Sequence, residues 1–228
     1  MPGKRSGLRL EGNFRGADLF EFPSHSSVKS HAMPEIAQSR FADVLLFARN
    51  FLRHPRMLGS IIPSSRFLIK KVLQPIDWSR ARVIVEYGPG VGSITSEILR
   101  HLRPDAHVVA IETNGDFVRF LKTALPDPRL HVVQGSAEDV NRILESLGLG
   151  AASYIISGIP FSTMPDQLRA DIVRKSRAVL EPGGAFLVYQ FSSRVLPDLQ
   201  RTFEVVKRGF QPLNVLPAHL FVCATETA

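Results

Sequence analysis

Three glycines at alternate positions, Gly88, Gly90 and Gly92, follow directly on the run Val83-Ile-Val-Glu-Tyr87, whose only acid is Glu86. Glycine is needed where a chain turns through positive φ and where a ligand lies against bare backbone, so this loop is suited to a nucleotide-like cofactor. Glu112 follows 24 residues after Gly88, at the end of a second apolar run, Val108-Val-Ala-Ile111. A carboxylate at that place can hold a ribose diol. The glycine spacing is G-x-G-x-G, not the G-x-G-x-x-G of dinucleotide binders. Alone it would also suit an ordinary strand-to-helix turn; Glu112 favours the cofactor reading over a solvated strand end.

The elements that must position these groups can be read from periodicity. Val83–Tyr87 reads as a buried strand and Ser93–Leu102 as the helix that follows the glycine turn. Further strands are expected over Leu130–Gln134 and Tyr154–Ile156. A helix is expected from about Asp166 to Leu180, a turn at Glu181-Pro-Gly-Gly184, and a fifth strand over Ala185–Phe191. A short helix near Arg194–Arg201 precedes strand six (Phe203–Arg208) and strand seven (Ala218–Ala224), with strand seven antiparallel to the rest. Alternating strands and helices predict an α/β, Rossmann-like, seven-stranded and mostly parallel sheet with helices on both faces.

With these motifs placed, the chain resembles the class I S-adenosylmethionine (AdoMet)-dependent methyltransferases. Glu86, Gly88, Gly90 and Gly92 match that family's first motif and Glu112 its ribose-binding acid, with Thr113 beside it. The resemblance implies AdoMet as cofactor and S-adenosylhomocysteine as product. Gly135-Ser-Ala-Glu-Asp139 stands where the family usually has Gly-Asp-Ala along the adenine edge. Ser136 replaces that acid, so Ser136, Ala137, Glu138, Asp139 or backbone amides are implied as adenine contacts. Ser157-Gly-Ile-Pro-Phe161 matches the motif that amine-directed members write as Asn or Asp-Pro-Pro-Tyr, or Asn-Leu-Pro-Phe.

A second resemblance narrows the group. Residues 51–66, from Phe51 to Arg66, look like the N-terminal block of bacterial phospholipid N-methyltransferases, which methylate the amine of phosphatidylethanolamine. Ser157–Phe161, Tyr189-Gln-Phe-Ser192 and Asn214-Val-Leu-Pro-Ala218 look like three further blocks, in order. Where that group commonly has Gln-Phe-Thr-Tyr, this chain has Ser192 and Ser193 after Phe191, and Pro217 stands where two adjacent prolines are common. The headgroup is therefore left open between phosphatidylethanolamine with its methylated intermediates and an ornithine-lipid amine. The resemblance implies an acceptor site at Ser157, Gly158, Ile159, Phe161 and Tyr189. There the Ser157 hydroxyl and the carbonyls of Gly158 and Ile159 accept N–H bonds from the amine. Phe161 and Tyr189 face the growing positive charge, with core packing as the alternative for both. Ser64 and Ser65 either cover the methionine end of the cofactor or cap a helix.

Charge and composition set the surroundings. The 228 residues suit one domain of moderate size after a tail, and 44% hydrophobic content supports an ordinary globular core. Lys and Arg exceed Asp and Glu by 28 to 21. Residues 1–38 read as a flexible basic tail, 39–75 as an amphipathic, basic helical region, and 76–228 as the AdoMet-binding domain. Phe41, Val44, Leu45, Ala48, Phe51 and Leu52 fall on one helical face, with Ser39 as N-cap and Pro55 as stop. Arg49, Arg53 and Arg56 begin a stretch of six basic residues without an acid that runs through Lys71. A basic amphipathic helix of this kind favours an anionic membrane surface, ahead of packing on its own domain or holding RNA phosphates.

No apolar run approaches the ~20 residues that span a bilayer. The first 30 residues lack the apolar core of a secretory signal. The single cysteine, Cys223, excludes an internal disulfide and reads as core. No metal spacing occurs among the seven histidines, so no metal is expected. The expectation is a bacterial monomer, cytoplasmic and peripherally attached to the inner face of the plasma membrane. Nucleic acid is not expected as acceptor, because Ser157 lacks the amide that would hold an adenine amino group. The sequence also ends soon after strand seven, where RNA dimethyltransferases add a helical domain. An rRNA adenine N6-methyltransferase and a non-catalytic AdoMet-fold module are the alternatives; the intact glycines and Glu112 oppose the second.

Overall fold

The computed structural model describes residues 64–214 and 216–224. The expected helix from Ser39 to Pro55, with Arg49, Arg53 and Arg56, lies outside the described residues, as does the tail.

Helix α1 (Arg66–Leu73) opens the described part, capped by Ser65, whose hydroxyl accepts from the Leu68 amide. Then follow β1 (Val83–Tyr87), α2 (Ser93–His101), β2 (His107–Glu112), α3 (Gly115–Ala124), β3 (Leu130–Gln134) and α4 (Val140–Ser146). The second half runs β4 (Ala152–Ser157), α5 (Asp166–Val179), β5 (Leu180–Gln190), α6 (Leu196–Thr202), β6 (Val205–Gln211) and β7 (Ala218–Ala224). Single 3₁₀ turns occupy Ala137–Asp139 and Phe161–Thr163.

The seven strands form one sheet in the order β3-β2-β1-β4-β5-β7-β6, parallel except for β7, which is antiparallel to both β5 and β6. This is the architecture expected from the sequence. The chain leaves β1 in one direction and returns to β4 on its other side. The switch point is therefore at the carboxyl ends of β1 and β4, where open α/β sheets hold ligands.

Every residue of β1 is buried, Glu86 included, because helices cover both faces. On one face Val85, Tyr87, Ile155 and Phe186 pack with Val140 and Ile143 of α4, Ile172 and Val173 of α5, and Leu199 of α6. On the other, Ile84, Val108, Ile156 and Leu187 pack with Leu68 and Val72 of α1 and Ile94 and Ile98 of α2. Polar links fasten the layers. Arg129 donates to the carbonyls of Leu99 and Leu102 and so satisfies the C-terminal turn of α2. Buried Asp198 on α6 accepts from Arg169 of α5 and from Arg201.

Strand six runs over Val205–Gln211, later than the expected Phe203–Arg208, and one turn differs in kind from the sequence reading. The Glu181–Gly184 turn is absorbed into β5, which continues directly from α5. Ala152 pairs with Leu180 and Tyr154 with Ala185, so the Glu-Pro-Gly-Gly segment bulges out of an otherwise continuous strand. Gly183, at φ 78°, makes the bulge possible.

Candidate active site

Gly88, Gly90 and Gly92 all take positive φ, at 68°, 55° and 78°. Two of them also admit close neighbours. A Cβ on Gly88 would lie 2.8 Å from Cγ2 of Ile159, and one on Gly92 would lie 2.6 Å from Cδ2 of Leu121. The glycine loop is thus pressed between α3 and the loop that follows β4. The first of these contacts brings the cofactor loop against the acceptor motif.

The two acids predicted from spacing converge here. Glu112 is buried at the end of β2; its carboxylate accepts from the amides of Gly90 (3.2 Å) and Asn114 (2.9 Å) and from the Thr113 hydroxyl (3.4 Å). Backbone therefore fixes the carboxylate beside the glycine loop, while the rest of Thr113 is exposed. Glu86 accepts a 2.6 Å hydrogen bond from Thr95, on the first turn of α2. Burial pushes the Glu86 carboxyl up to about 7; the nearby charge of Glu112 adds to the rise and the Thr95 bond opposes it.

The residues fit AdoMet. Besides the glycine cradle and the placed Glu112, the Ser93 hydroxyl at the start of α2 is buried and has no hydrogen-bond partner. An orphaned donor at a helix N-terminus suits a carboxylate such as that of the methionine moiety. Ser136 meets its expectation only in part: its hydroxyl caps the 3₁₀ turn by accepting from the Glu138 amide. Two adenine candidates are placed otherwise. Ala137 is packed in the core, and Glu138 reaches away to Lys175 of α5 at 3.6 Å. Asp139 pairs with Arg142.

The acceptor motif begins where β4 lies beside β1, with Ser157 opposite Tyr87. Ser157 is fully buried and its hydroxyl has no partner, so it is an uncommitted hydrogen-bonding group at the sheet's switch point. Two other assignments need correction. The Ile159 carbonyl already accepts from Gln190 Nε2 (2.7 Å) and from the Phe161 amide (2.9 Å), which removes it as a seat for an amine. Phe161 has no exposed surface and is packed with the core cluster of α5, so it pins the loop and does not face a substrate.

Tyr189 packs partly buried against the opposite layer, and its hydroxyl lies over Gly158 so closely that a Cβ there would collide with it. The Ser64 side chain lies beside that hydroxyl. Burial pushes the Tyr189 hydroxyl well above its ordinary pKa, the charge of Glu86 adds to the rise, and the Ser64 side chain opposes it. Ser65 does what the helix-capping reading requires. It caps α1, donates through its hydroxyl to the Leu213 carbonyl (2.7 Å), and donates through its amide to Asn214 Oδ1 (2.9 Å). Four separated stretches thus meet in one wall: the end of 51–66, Ser157–Phe161, Tyr189–Ser192 and the start of Asn214–Ala218.

Sequence reasoning missed Ser93, Thr95, Asn114 and Gln190. Only Thr95 left a signal, a hydroxyl on the first turn of the helix facing back toward Glu86. Among the described residues, no group of three or more His, Cys, Asp or Glu is placed to hold a metal, and no helix is long and apolar enough to cross a membrane.

Comparison with known proteins gives three kinds of likeness. Residues 50–156 match the family model described as ribosomal RNA adenine dimethylase. An ornithine lipid N-methyltransferase of Singulisphaera acidiphila is 34% identical over 189 residues, covering 79% of this chain and 95% of that protein. A ribosomal RNA small subunit methyltransferase A of Mycoplasma capricolum is 31% identical over 90 residues, 40% of this chain and 33% of that protein. Among solved structures, PigF with SAH superposes with a TM-score of 0.53 at 16% identity, covering 70% of this chain and 55% of that one, a likeness of fold.

Proposed function

We propose that this chain, which belongs to the class I AdoMet-dependent methyltransferases, methylates the amine of a membrane aminolipid. It is an AdoMet-dependent N-methyltransferase. AdoMet, when bound, supplies a methyl group activated on a sulfonium, and the protein's part is to align a neutral amine for in-line attack. Gly88, Gly90 and Gly92 with Glu112 and Ser93 would hold the cofactor. The Ser157 hydroxyl accepts an amine N–H and orients the lone pair. Tyr189 and Ser64 close the side opposite Ile159.

One observation carries the acceptor assignment. The wall beside the glycine loop is built from the four stretches whose sequence resembles lipid N-methyltransferases, joined by Ser65–Leu213, Ser65–Asn214 and Gln190–Ile159 hydrogen bonds and by the close approach of Tyr189 to Gly158. The comparisons point the same way. Likeness to the rRNA dimethylase family stops at residue 156, within β4, so it covers the cofactor half and ends before the acceptor motif. Likeness to the ornithine lipid enzyme runs through both halves. Ornithine lipid and phosphatidylethanolamine are the headgroups to test. The basic segment with Arg49, Arg53 and Arg56 would bring the enzyme to an anionic membrane surface.

The test is expression in a bacterium that makes both phosphatidylethanolamine and ornithine lipid but no methylated forms. Lipid extracts should gain species heavier by whole methylene increments, lost in a Gly90→Val variant. Unchanged lipids, with rRNA newly dimethylated, would replace this reading with the rRNA one.

A further inference from the structure

Six large hydrophobic side chains are exposed among the described residues, and five of them gather at one edge: Phe67, Phe191, Phe210, Leu213 and Leu216. Only Val205 lies elsewhere, at the opposite end of β6. The topology explains the gathering. Phe191 follows β5 at the carboxyl edge of the sheet. β7 runs antiparallel to β5, so the β6–β7 loop with Leu213 and Leu216 reaches the same edge, and Phe210 stands near the end of β6. The N-terminal turn of α1 is tied to that loop through Ser65, and the Gln211 side chain donates to the Phe67 carbonyl. Leu213, at 60% exposed, and Phe210, at 50%, leave more surface in water than a closed domain requires.

Charge marks the same edge. Segments 64–67, 189–197 and 209–217, which lie at this edge, contain Arg66 and Arg194 and no Asp or Glu. An apolar rim flanked by cations is complementary to an anionic bilayer interface, where the side chains enter the acyl boundary and the cations meet headgroup phosphates. The rim also borders the wall of Ser64, Gly158 and Tyr189, so docking there would place the acceptor wall against the lipid surface.

We infer that the β6–β7 loop and the start of α1 form a bilayer-docking rim around the mouth of the acceptor site, distinct from the basic segment that precedes residue 64. This rests on the aminolipid reading for its purpose, but binding is measurable without any acceptor. Full-length protein is floated with vesicles of phosphatidylglycerol and phosphatidylcholine, which carry no primary amine. Phe67→Glu/Phe210→Glu should bind at least tenfold more weakly than wild type while keeping its thermal unfolding midpoint. It should also methylate a short-chain aminolipid below its micelle concentration at the wild-type rate. As an independent readout, Leu216→Trp in a Trp78→Phe background should shift its emission to the blue on vesicle binding and be quenched by brominated lipid. Wild-type flotation by the double variant, or an introduced tryptophan that stays water-exposed, overturns the rim. A wild type that is dimeric in solution and a double variant that is monomeric would assign the surface to self-association and overturn it too. Rim-dependent binding by an enzyme that methylates no aminolipid leaves the rim standing and removes the acceptor assignment.

Discussion

Replacing Glu86 by Gln should flatten a measurable part of the pH dependence of stability. Glu86 is 2% exposed, and its carboxyl is raised from an ordinary 4.5 to about 7, first by burial and then by the charge of Glu112. A folded-state pKa above the unfolded one means that the native protein binds the proton more tightly. The ionisation penalty is therefore absent below about pH 4.5, grows as pH rises toward 7, and is constant above. Each tenfold gain in proton affinity corresponds to about 1.4 kcal/mol, so the penalty should grow by roughly 2–3 kcal/mol between pH 5 and pH 8. Gln imitates the protonated acid in shape, and its carbonyl can still accept from Thr95. The stability difference between Glu86→Gln and wild type should therefore move toward the variant by that amount over the range. Urea unfolding at pH 5, 6, 7 and 8 measures it, and subtracting the wild-type curve removes the other titrating groups. Parallel curves would show that Glu86 is solvated or differently paired and that burial does not raise its carboxyl.

Gly90→Val should abolish AdoMet binding in calorimetry, because a β-branched residue resists the φ of 55°. Glu112→Ala should weaken that binding by ~1–3 kcal/mol through loss of a charge-assisted contact. Ser157→Ala removes a buried hydroxyl that has no partner, so it should raise unfolding stability by about 1 kcal/mol. The same change should lower lipid turnover about tenfold and leave AdoMet affinity unchanged; a loss of both stability and affinity would give Ser157 a structural role. Removing residues 1–54 should weaken binding to anionic vesicles and steepen the dependence of turnover on lipid concentration, as sedimentation and initial rates would report. Equal sedimentation would exclude the basic segment as an attachment.

The sheet is legible in the sequence because its central strands β1, β2, β4 and β5 are largely buried on both faces and read as mostly apolar runs ended by glycine or polar turns. The cofactor half is legible for a related reason: positive φ at Gly88, Gly90 and Gly92 demands a residue type that sequence shows directly, and Glu112 follows at a set distance. The acceptor half is less so. Phe161 in sequence is a ring next to a catalytic motif; only the packing of α5 on that loop shows that it belongs to the core. The loss of the Ile159 carbonyl to Gln190 joins residues 31 apart, and spacing does not encode such a bond. Ser65 suits a cap or a ligand equally well until Leu213 and Asn214 come beside it. The Glu181–Gly184 bulge reads as a turn because Pro and Gly signal a break, whereas the strand resumes its register beyond them.

The central claim is that the amine accepted here belongs to a lipid. Purified full-length protein is given labelled AdoMet together with vesicles containing ornithine lipid and phosphatidylethanolamine and an equal mass of undermethylated small-subunit rRNA. Label is then partitioned between organic extract and RNA. Label in one of the two aminolipids, with none in RNA and none in either fraction for Gly90→Val, is the predicted result; label in rRNA adenine with the lipids unlabelled would contradict it.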